Sequence, residues 1–366
     1  MVTKRQESHM RWAIALALEG AGCTSPNPMV GAVVVKGDRV VGEGYHRRAG
    51  TPHAEIHALR QAGRKARGAD LYVTLEPCCH EGRTPPCIDA IVNAGVSRVF
   101  VGTRDLNPLV NGRGVRALKR SGVRVVENVL REGCRKINEG YNKFIVSGIP
   151  FVTAKVALSL DGKLATSSGD SRWITNRQAR NHVHRLRSRA DAVMVGGGTV
   201  RRDDPRLTVR LGGYGGAQPK AVVVDERLDI PRSSRLIRRR KGKLIAVATD
   251  AAPVSRRRWI ERLGHAVIVC RRQRNGRVHL PHMLRELGSL GLTSILLEGG
   301  GELFADFFRQ GLVDRVVACV APKLVGGAGK DFLPGMSVKW MKDAESLKDV
   351  RVQIFGDNVL LEGDLR

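Results

Sequence analysis

A histidine at 53, a glutamate at 55 and cysteines at 78 and 87, each behind a proline, are residue types that bind a transition metal and move protons beside it. Zinc in a catalytic site takes three protein ligands from His and Cys and leaves its fourth position to water. A carboxylate that does not bind the metal can carry protons to and from that water. His53, Cys78 and Cys87 are therefore expected to hold one Zn2+, and Glu55 is expected to be the catalytic proton shuttle.

The order His-x-Glu, then Pro-Cys, then a further Cys is that of zinc-dependent nucleobase deaminases, in which activated water displaces an amine from a ring carbon. The spacing departs from the commoner form, where two residues separate the cysteines; here eight separate Cys78 from Cys87. Cys79 adjoins Cys78 and competes with it, but neighbouring side chains rarely face one metal, and the Pro77-Cys78 dipeptide favours Cys78. Cys87 follows Pro85-Pro86 and His53 follows Pro52, so each stands at an expected helix start, where proline is tolerated. The positive end of the helix would favour a Cys87 thiolate. A lone His-Ala-Glu is ordinarily a solvated helix start, and a lone buried Cys a small hydrophobe. Their joint occurrence at strand-to-helix junctions carries the metal reading.

The elements that must position these residues alternate. A first amphipathic helix is expected, then a hairpin of strands 31–36 and 39–45 around Gly37-Asp38. The His53 helix, a strand 71–75, the cysteine loop, a helix 88–94, a strand 98–102, a helix near 115–120 and a strand 123–126 follow. One further helix over 132–146 leads to Ser147-Gly148-Ile149-Pro150, where Gly and Pro mark a boundary. The second half repeats the rhythm: strand 151–157, helix 178–187, strands 192–195, 221–224 and 244–248, helix 284–290, strand 295–297 and helix 303–309. Segments 314–320 and 350–361 read as closing antiparallel strands. This predicts two α/β domains, 1–147 and 151–366, with helices on mixed sheets and sites where strands end and helices begin. Gly196-Gly197-Gly198 and Gly299-Gly300-Gly301 each follow a buried strand, where bare backbone amides can approach phosphate oxygens. Neither fits the Gly-x-Gly-x-x-Gly fingerprint.

The 366 residues allow two domains with ample core. Seven cysteines argue against a disulfide scaffold and for a reducing, cytoplasmic setting. No apolar run reaches membrane-spanning length; Lys4 and Arg5 before the apolar run 12–18 resemble a signal peptide, but Arg11 and Glu19 bracket that run and Ser8 can cap it, so an amphipathic first helix is expected. The net charge of +27 permits phosphate contacts. It is spread over both halves, however, and its densest runs, 238–241 and 256–258, lack the interleaved aromatics that stack bases. A solvated arginine-rich surface is expected, with no nucleic-acid partner and no membrane. A structural zinc module would close the metal's fourth position with protein and leave Glu55 without a role. A nucleic-acid deaminase would not account for the long cysteine spacing or the glycine triplets.

Over almost its whole length the sequence resembles a known family, the bifunctional riboflavin-biosynthesis proteins, in which a pyrimidine deaminase is fused to a pyrimidine reductase. In the first half the resemblance rests on Asn27-Pro28-Met29-Val30-Gly31, Gly42-Glu43-Gly44-Tyr45-His46, Pro52-His53-Ala54-Glu55, Thr74-Leu75-Glu76-Pro77-Cys78 and Gly82-Arg83-Thr84-Pro85-Pro86-Cys87. In the second it rests on the 155–162 run Lys-Val-Ala-Leu-Ser-Leu-Asp-Gly, Trp173-Ile174-Thr175, Thr199-Val200, Asp203-Asp204-Pro205 and Glu298-Gly299-Gly300. It implies a cytidine-deaminase-like α/β/α domain followed by a dihydrofolate-reductase-like α/β domain, with zinc in the first and NADPH in the second. Asn27, His46, His80, Arg83 and Asn107 match positions around the deaminase substrate; amide and imidazole groups can read a pyrimidine's edges, and Arg83 suits a phosphate. Ala157, Trp173, Thr199, Asp203 and the loop Gly300, Gly301, Glu302, Leu303, Phe304, Ala305 and Asp306 match cofactor-contacting positions. Ser171, Arg187, Leu207, Arg210 and Glu298 match positions around the reductase substrate, with Lys155 or Asp203 as proton donor. The implied reactions are hydrolytic deamination of 2,5-diamino-6-ribosylamino-4(3H)-pyrimidinone 5′-phosphate, then NADPH-dependent reduction of its ribosyl chain to a ribitylamino group. A homo-oligomer is expected. Cys79 stands where the family usually has serine.

Overall fold

Close approach of helix to strand, permitted by glycine, builds the first half around its candidate site. The structure is a computed structural model that describes residues 2–79, 85–239 and 242–365. The chain divides into two units, Met1–Gly148 and Ile149–Arg366. Unit 1 runs α1 (Lys4–Leu18), β1 (Gly31–Lys36), β2 (Arg39–Tyr45), α2 (Ala54–Ala62), β3 (Asp70–Leu75), α3 (Cys87–Asn93), β4 (Arg98–Thr103), α4 (Arg113–Arg120), β5 (Arg124–Val126), α5 (Arg131–Lys136) and α6 (Glu139–Ser147). Its sheet has the order β2-β1-β3-β4-β5, antiparallel on either side of β1 and parallel from β3 to β5. Period-two alternation sends Leu71 and Val73 of β3 to the core that packs α2, α3 and α4, and Tyr72 to the core under α1. A Cβ at Gly42 would lie 2.2 Å from the Ala58 carbonyl oxygen, so bare backbone lets α2 rest directly on β2. That contact brings the start of α2, with His53 and Glu55, level with the end of β3 and Cys78.

The single helix expected over 132–146 is two, α5 and α6. The chain breaks at Asn138, whose side-chain oxygen accepts from the Met29 N–H and whose amide donates to the Met29 carbonyl, both at 2.8 Å. A side chain 109 positions away thus competes successfully with helix continuation.

Unit 2 runs β6 (Phe151–Ser159), β7 (Lys163–Ala165), α7 (Arg177–Arg189), β8 (Ala192–Gly196), α8 (Gly197–Asp203), β9 (Lys220–Val224), α9 (Arg235–Arg239), β10 (Leu244–Ala248), α10 (Val254–Arg262), β11 (Ala266–Val269), α11 (Leu280–Ser289), β12 (Ser294–Gly299), α12 (Gly301–Arg309), β13 (Arg315–Ala321), β14 (Lys330–Asp331), β15 (Lys348–Phe355) and β16 (Asn358–Asp364). The main sheet has the order β11-β10-β9-β8-β12-β6-β13-β16-β15, with apolar cores on both faces. Strands are parallel from β11 to β13, and only the β13-β16-β15 end is antiparallel. The segment expected at 314–320 is therefore not a purely antiparallel closing strand, because its other edge pairs in parallel with β6. The α10–β11 pair went unread, since five arginines or glutamates among the nine residues of α10 mask its buried Ile260. The helix expected at 284 begins at Leu280, where His279 caps it and Pro281 occupies its first turn.

Candidate functional site

Three junctions converge in unit 1. His53 caps α2, Cys78 follows β3 and Cys87 opens α3, after Pro86. His53 Nδ1 lies 3.0 Å from the Cys87 Sγ and 3.5 Å from the Cys78 Sγ, and the three ligand atoms fall within 4.8 Å of one another. Bonds of about 2.0–2.3 Å in a tetrahedral zinc site put its ligand atoms roughly 3.5–3.8 Å apart, so this donor set fits the ion with slight spreading. Cys79 is outside the cluster and packs instead against the α2–α3 core.

The charges around the cluster point the same way. Cys78 is pushed down to about 4 by hydrogen bonds from the Cys87 thiol, from His53 and from the Cys87 backbone N–H at 3.3 Å. Its hydrogen bond to Cys78 raises His53, and the same pairing holds the proton on Cys87. Glu55 is 3 % exposed and burial raises its pKa; one carboxylate oxygen, Oε2, is buried without a hydrogen-bond partner. A buried acceptor left open beside three metal ligands is the arrangement a proton shuttle to bound water requires.

His53, Glu55 and Cys78 floor a cavity of about 390 Å³, lined also by Asn27, His46, Asn107, Tyr141 and Phe144. That volume lies in the range of small-molecule sites. His46 is buried, its ring 5.3 Å from that of His53 in a T-shaped pair, and burial lowers its pKa. Beneath the floor, Glu76 accepts from the backbone N–H groups of Asp105 (3.3 Å), Gly112 (2.9 Å) and Val115 (3.0 Å), fixing the 105–112 loop and the start of α4 to the metal loop. Of the expected contacts, Asn27, His46 and Asn107 reach the cavity, while His80 and Arg83 lie outside the described residues. Sequence reasoning missed Glu76, Asp105, Tyr141 and Phe144. Glu76 stood in a quoted motif next to the metal ligand, but α6 had no spacing signal tying it to the cavity.

In unit 2 the two glycine triplets come together, as β8 and β12 are neighbours in the sheet. Gly196, Gly197, Gly198 and Thr199 face Gly300, Gly301, Glu302 and Leu303 across a cleft of about 330 Å³. Gly300 has φ of +87°, a left-handed backbone suited to glycine, and a Cβ at Gly198 would meet nothing within 4 Å, so its backbone stands open to the cleft. A phosphate-bearing cofactor fits this bare rim, and α12 starts at it. The remaining wall consists of residues the sequence did not point to. Arg201 pairs with buried Asp225 at 2.6 Å, and Arg277 pairs with Glu302 and Asp306 at 2.5 Å each. Phe304 and Ala305 do not line the cleft; both are buried in α12, and Phe304 packs in the core against Phe332. Ala157, Trp173 and Asp203 are not among the residues that line this cleft. Trp173 is 63 % exposed, with the Arg180 guanidinium 4.3 Å over its ring.

A second cluster forms where β6, β12 and α7 meet. Arg187 binds Glu298 through two hydrogen bonds, at 2.5 and 2.7 Å, and donates to the Thr208 carbonyl at 3.0 Å. Burial opposes charge on Glu298, but the Arg187 guanidinium holds its carboxyl below the usual range. Burial lowers Lys155, with Glu298 and Arg187 acting on it in opposite directions, and Arg210 is near enough to feel both of them too. Three cations around one carboxylate leave a positive surplus suited to a phosphate ester. Leu207, expected at this site, has a side chain that is 2 % exposed and belongs to the core, so its contribution would come from its backbone. Ser171 sits on the loop before α7, where its carbonyl accepts from the Ile174 N–H.

Comparison with known proteins agrees with both halves. Residues 3–103 match the model of the cytidine and deoxycytidylate deaminase zinc-binding region, and residues 150–361 match the RibD C-terminal domain. The chain is 41 % identical over 355 residues to the riboflavin biosynthesis protein RibD of Actinobacillus pleuropneumoniae, covering 97 % of this chain and 94 % of that one. It is 38 % identical to RibD of Aquifex aeolicus, with 99 % of each covered. Among solved structures, Acinetobacter baumannii RibD superposes with a TM-score of 0.90 at 36 % identity over 99 % of both chains. A Thermotoga maritima diaminohydroxyphosphoribosylaminopyrimidine deaminase/5-amino-6-(5-phosphoribosylamino)uracil reductase does so with 0.86 at 35 % over 98 % of both.

Proposed function

The chain belongs to the RibD family of riboflavin-biosynthesis enzymes, a zinc-binding deaminase domain joined to an NADPH-dependent reductase domain, and from that premise we propose which of its residues carry each reaction. The substrate is the diaminopyrimidinone ribosyl 5′-phosphate that the resemblance implies, deaminated in unit 1 and reduced in unit 2.

In unit 1, His53, Cys78 and Cys87 would hold the zinc, which would supply a Lewis acid that makes water nucleophilic near neutral pH. Glu55 takes a proton from the attacking water and delivers protons to the ring nitrogen and the departing amine. Water adds at the amine-bearing carbon, ammonia leaves and a carbonyl remains. Asn27, His46 and Asn107 orient the ring, and His80 and Arg83 complete the substrate contacts from outside the described residues. The observation that carries this reading is the buried, unpartnered Glu55 oxygen beside a three-ligand cluster.

In unit 2, Arg187, Arg210 and Lys155 bind the phosphate and sugar against Glu298. The glycine rim and Thr199 would hold the cofactor, whose nicotinamide would supply the hydride, and Ala157, Trp173 and Asp203 are the further residues expected to contact it. Lys155 donates the proton to the opened sugar, because burial and Arg187 both favour its giving one up. Asp203, raised by burial and placed beside Arg172 and Arg202, is the second donor to test.

We place the chain in the cytoplasm, where its seven free thiols stay reduced; disulfide-linked peptides from intact cells would contradict this. No described helix is long and apolar enough to cross a membrane. Self-association fits β15, an edge strand whose Val350, Val352 and Ile354 share one face at 49, 60 and 74 % exposure. Ile354→Lys should lower the sedimentation mass, and an unchanged oligomer would exclude this edge.

The central test combines purified protein, NADPH and the diaminopyrimidinone ribosyl phosphate as sole substrate. Loss of nicotinamide absorbance that stops when a chelator strips the zinc establishes both activities and their order. Oxidation that survives zinc removal would mean the reductase does not require deaminated substrate.

A further inference from the structure

The glycine-rimmed cleft of unit 2 has a charged end, and its place in the sheet determines which part of a dinucleotide it meets. In the strand order β9-β8-β12-β6, Lys155 and Glu298 of the reductase cluster belong to β6 and β12. The glycine triplets lie at the ends of β8 and β12, and Asp225 stands just past β9. Neighbouring strands are about 4.8 Å apart, so three steps carry the sheet about 14 Å from β6 to β9. A dinucleotide with its nicotinamide toward the cluster and its pyrophosphate on the glycine rim therefore brings its adenosine ribose to the end of β9.

Val224 of β9 is in register with Gly196, which sets Asp225 level with Gly197. A Cβ at Gly197 would lie 2.2 Å from Asp225 Oδ2, so bare backbone admits this carboxylate to the cleft wall. Asp225 is 5 % exposed; its Oδ1 accepts from the Arg227 N–H at 3.4 Å and its Oδ2 from Arg201 Nη1 at 2.6 Å. An uncovered carboxylate at the end of a strand beside a phosphate site takes the 2′-hydroxyl of an adenosine ribose, whereas an arginine there accommodates a 2′-phosphate. Here an arginine covers the acid. Arg201 lines the cleft, its bond to Asp225 engages one of its N–H donors, and its side chain stays 47 % exposed. Arg202, also exposed, lines the same cleft and adds positive charge. The other cation of the wall, Arg277, is bound instead to Glu302 and Asp306 of α12.

We propose that Arg201, anchored on buried Asp225, receives the 2′-phosphate of the adenosine ribose and makes this chain select NADPH over NADH. The planar guanidinium matches a phosphate, and the bond to Asp225 orients it before the cofactor arrives. The inference rests on the reading of the glycine-rimmed cleft as the cofactor site.

The test measures dissociation constants of NADPH and NADH separately, by fluorescence titration of the full-length protein. Arg201→Ala should raise the Kd for NADPH about tenfold or more, the loss of one charge-assisted phosphate contact, and leave that for NADH within about twofold. The double variant Arg201→Ala/Asp225→Asn removes the carboxylate that the single change strands, and it should keep most of the NADPH loss. Arg277→Ala should weaken both cofactors by the same factor, because Glu302 borders the rim that both share. Equal losses of NADPH and NADH in Arg201→Ala, no loss of either, or NADPH binding restored to wild type in the double variant overturns the inference. Gly198→Asp, which puts a carboxylate on the open rim, should weaken both cofactors. Wild-type binding of both in that variant would remove the cofactor from the cleft, a separate failure of the underlying reading. Should Arg201→Ala not fold, the double variant, with no stranded acid, decides by the same NADPH-to-NADH ratio.

Discussion

The metal cluster of unit 1 and the cationic cluster of unit 2 both assemble at the ends of parallel strands, but from different distances along the chain. His53, Cys78 and Cys87 come from three successive junctions within residues 53–87, the start of α2, the end of β3 and the start of α3, and the expected proton shuttle lies two residues from a ligand. In unit 2 the central ion pair, Arg187 with Glu298, joins residues 111 positions apart, and Arg277 reaches Glu302 and Asp306 from the hairpin before α11. The first site draws its chemistry from an ion and one buried carboxylate. The second draws it from an excess of fixed positive charge, held in place by buried pairing. A metal site therefore fails by losing one of a few ligands, whereas an ion-pair site fails by stranding a charge.

The largest effect should come from separating the shuttle from the ligands. Glu55→Gln should retain zinc by metal analysis yet lower ammonia release about 10²- to 10⁴-fold, the usual share of general acid–base catalysis. Cys87→Ser should lose zinc, and Cys79→Ser should keep it; the reverse result would reassign the ligand and with it the contrast between the two sites.

Next in size is Glu298→Ala, which strands the Arg187 guanidinium at 11 % side-chain exposure. Breaking such a pair costs about 3–5 kcal/mol, or on the order of 10 °C in the unfolding of a domain this size. Zinc content and deamination should persist while NADPH oxidation is lost. Equal loss of both activities would show that the two clusters are not independent.

Smaller still is Arg277→Ala. Its removal takes the cation from Glu302 on the wall of the cofactor cleft and leaves Asp306 with Arg309. The Kd for NADPH, read by fluorescence titration, should rise about tenfold, with kcat near wild type. An unchanged Kd would place the phosphates elsewhere along the glycine rim.

How far each site was readable in advance follows from these distances. The His/Cys/Cys cluster, the buried glutamate beside it and both glycine triplets could be found because residue type and short spacing carry the information. The hairpin at residues 31–45 matched to the residue for the same reason: alternation and a Gly37-Asp38 turn are local signals. The break of the 132–146 helix was not readable, because nothing near Asn138 announces that its side chain will bond the backbone of Met29. Leu207 and Phe304 show the limit of reasoning by position. Each stands in a segment that matches a binding site, yet each side chain turns into the core.

The sequence by itself determined the two-part α/β organisation, the zinc donors and the carboxylate beside them, since strand period, helix starts and metal chemistry are set by residues close in the chain. Only the tertiary structure decided that Tyr141 meets Asp105 beside the deaminase cavity, that Arg201 and Arg277 wall the glycine-rimmed cleft, and that Arg187 closes on Glu298. These are contacts between elements, and their directions depend on which strands become neighbours and which side chains lose water when they pack.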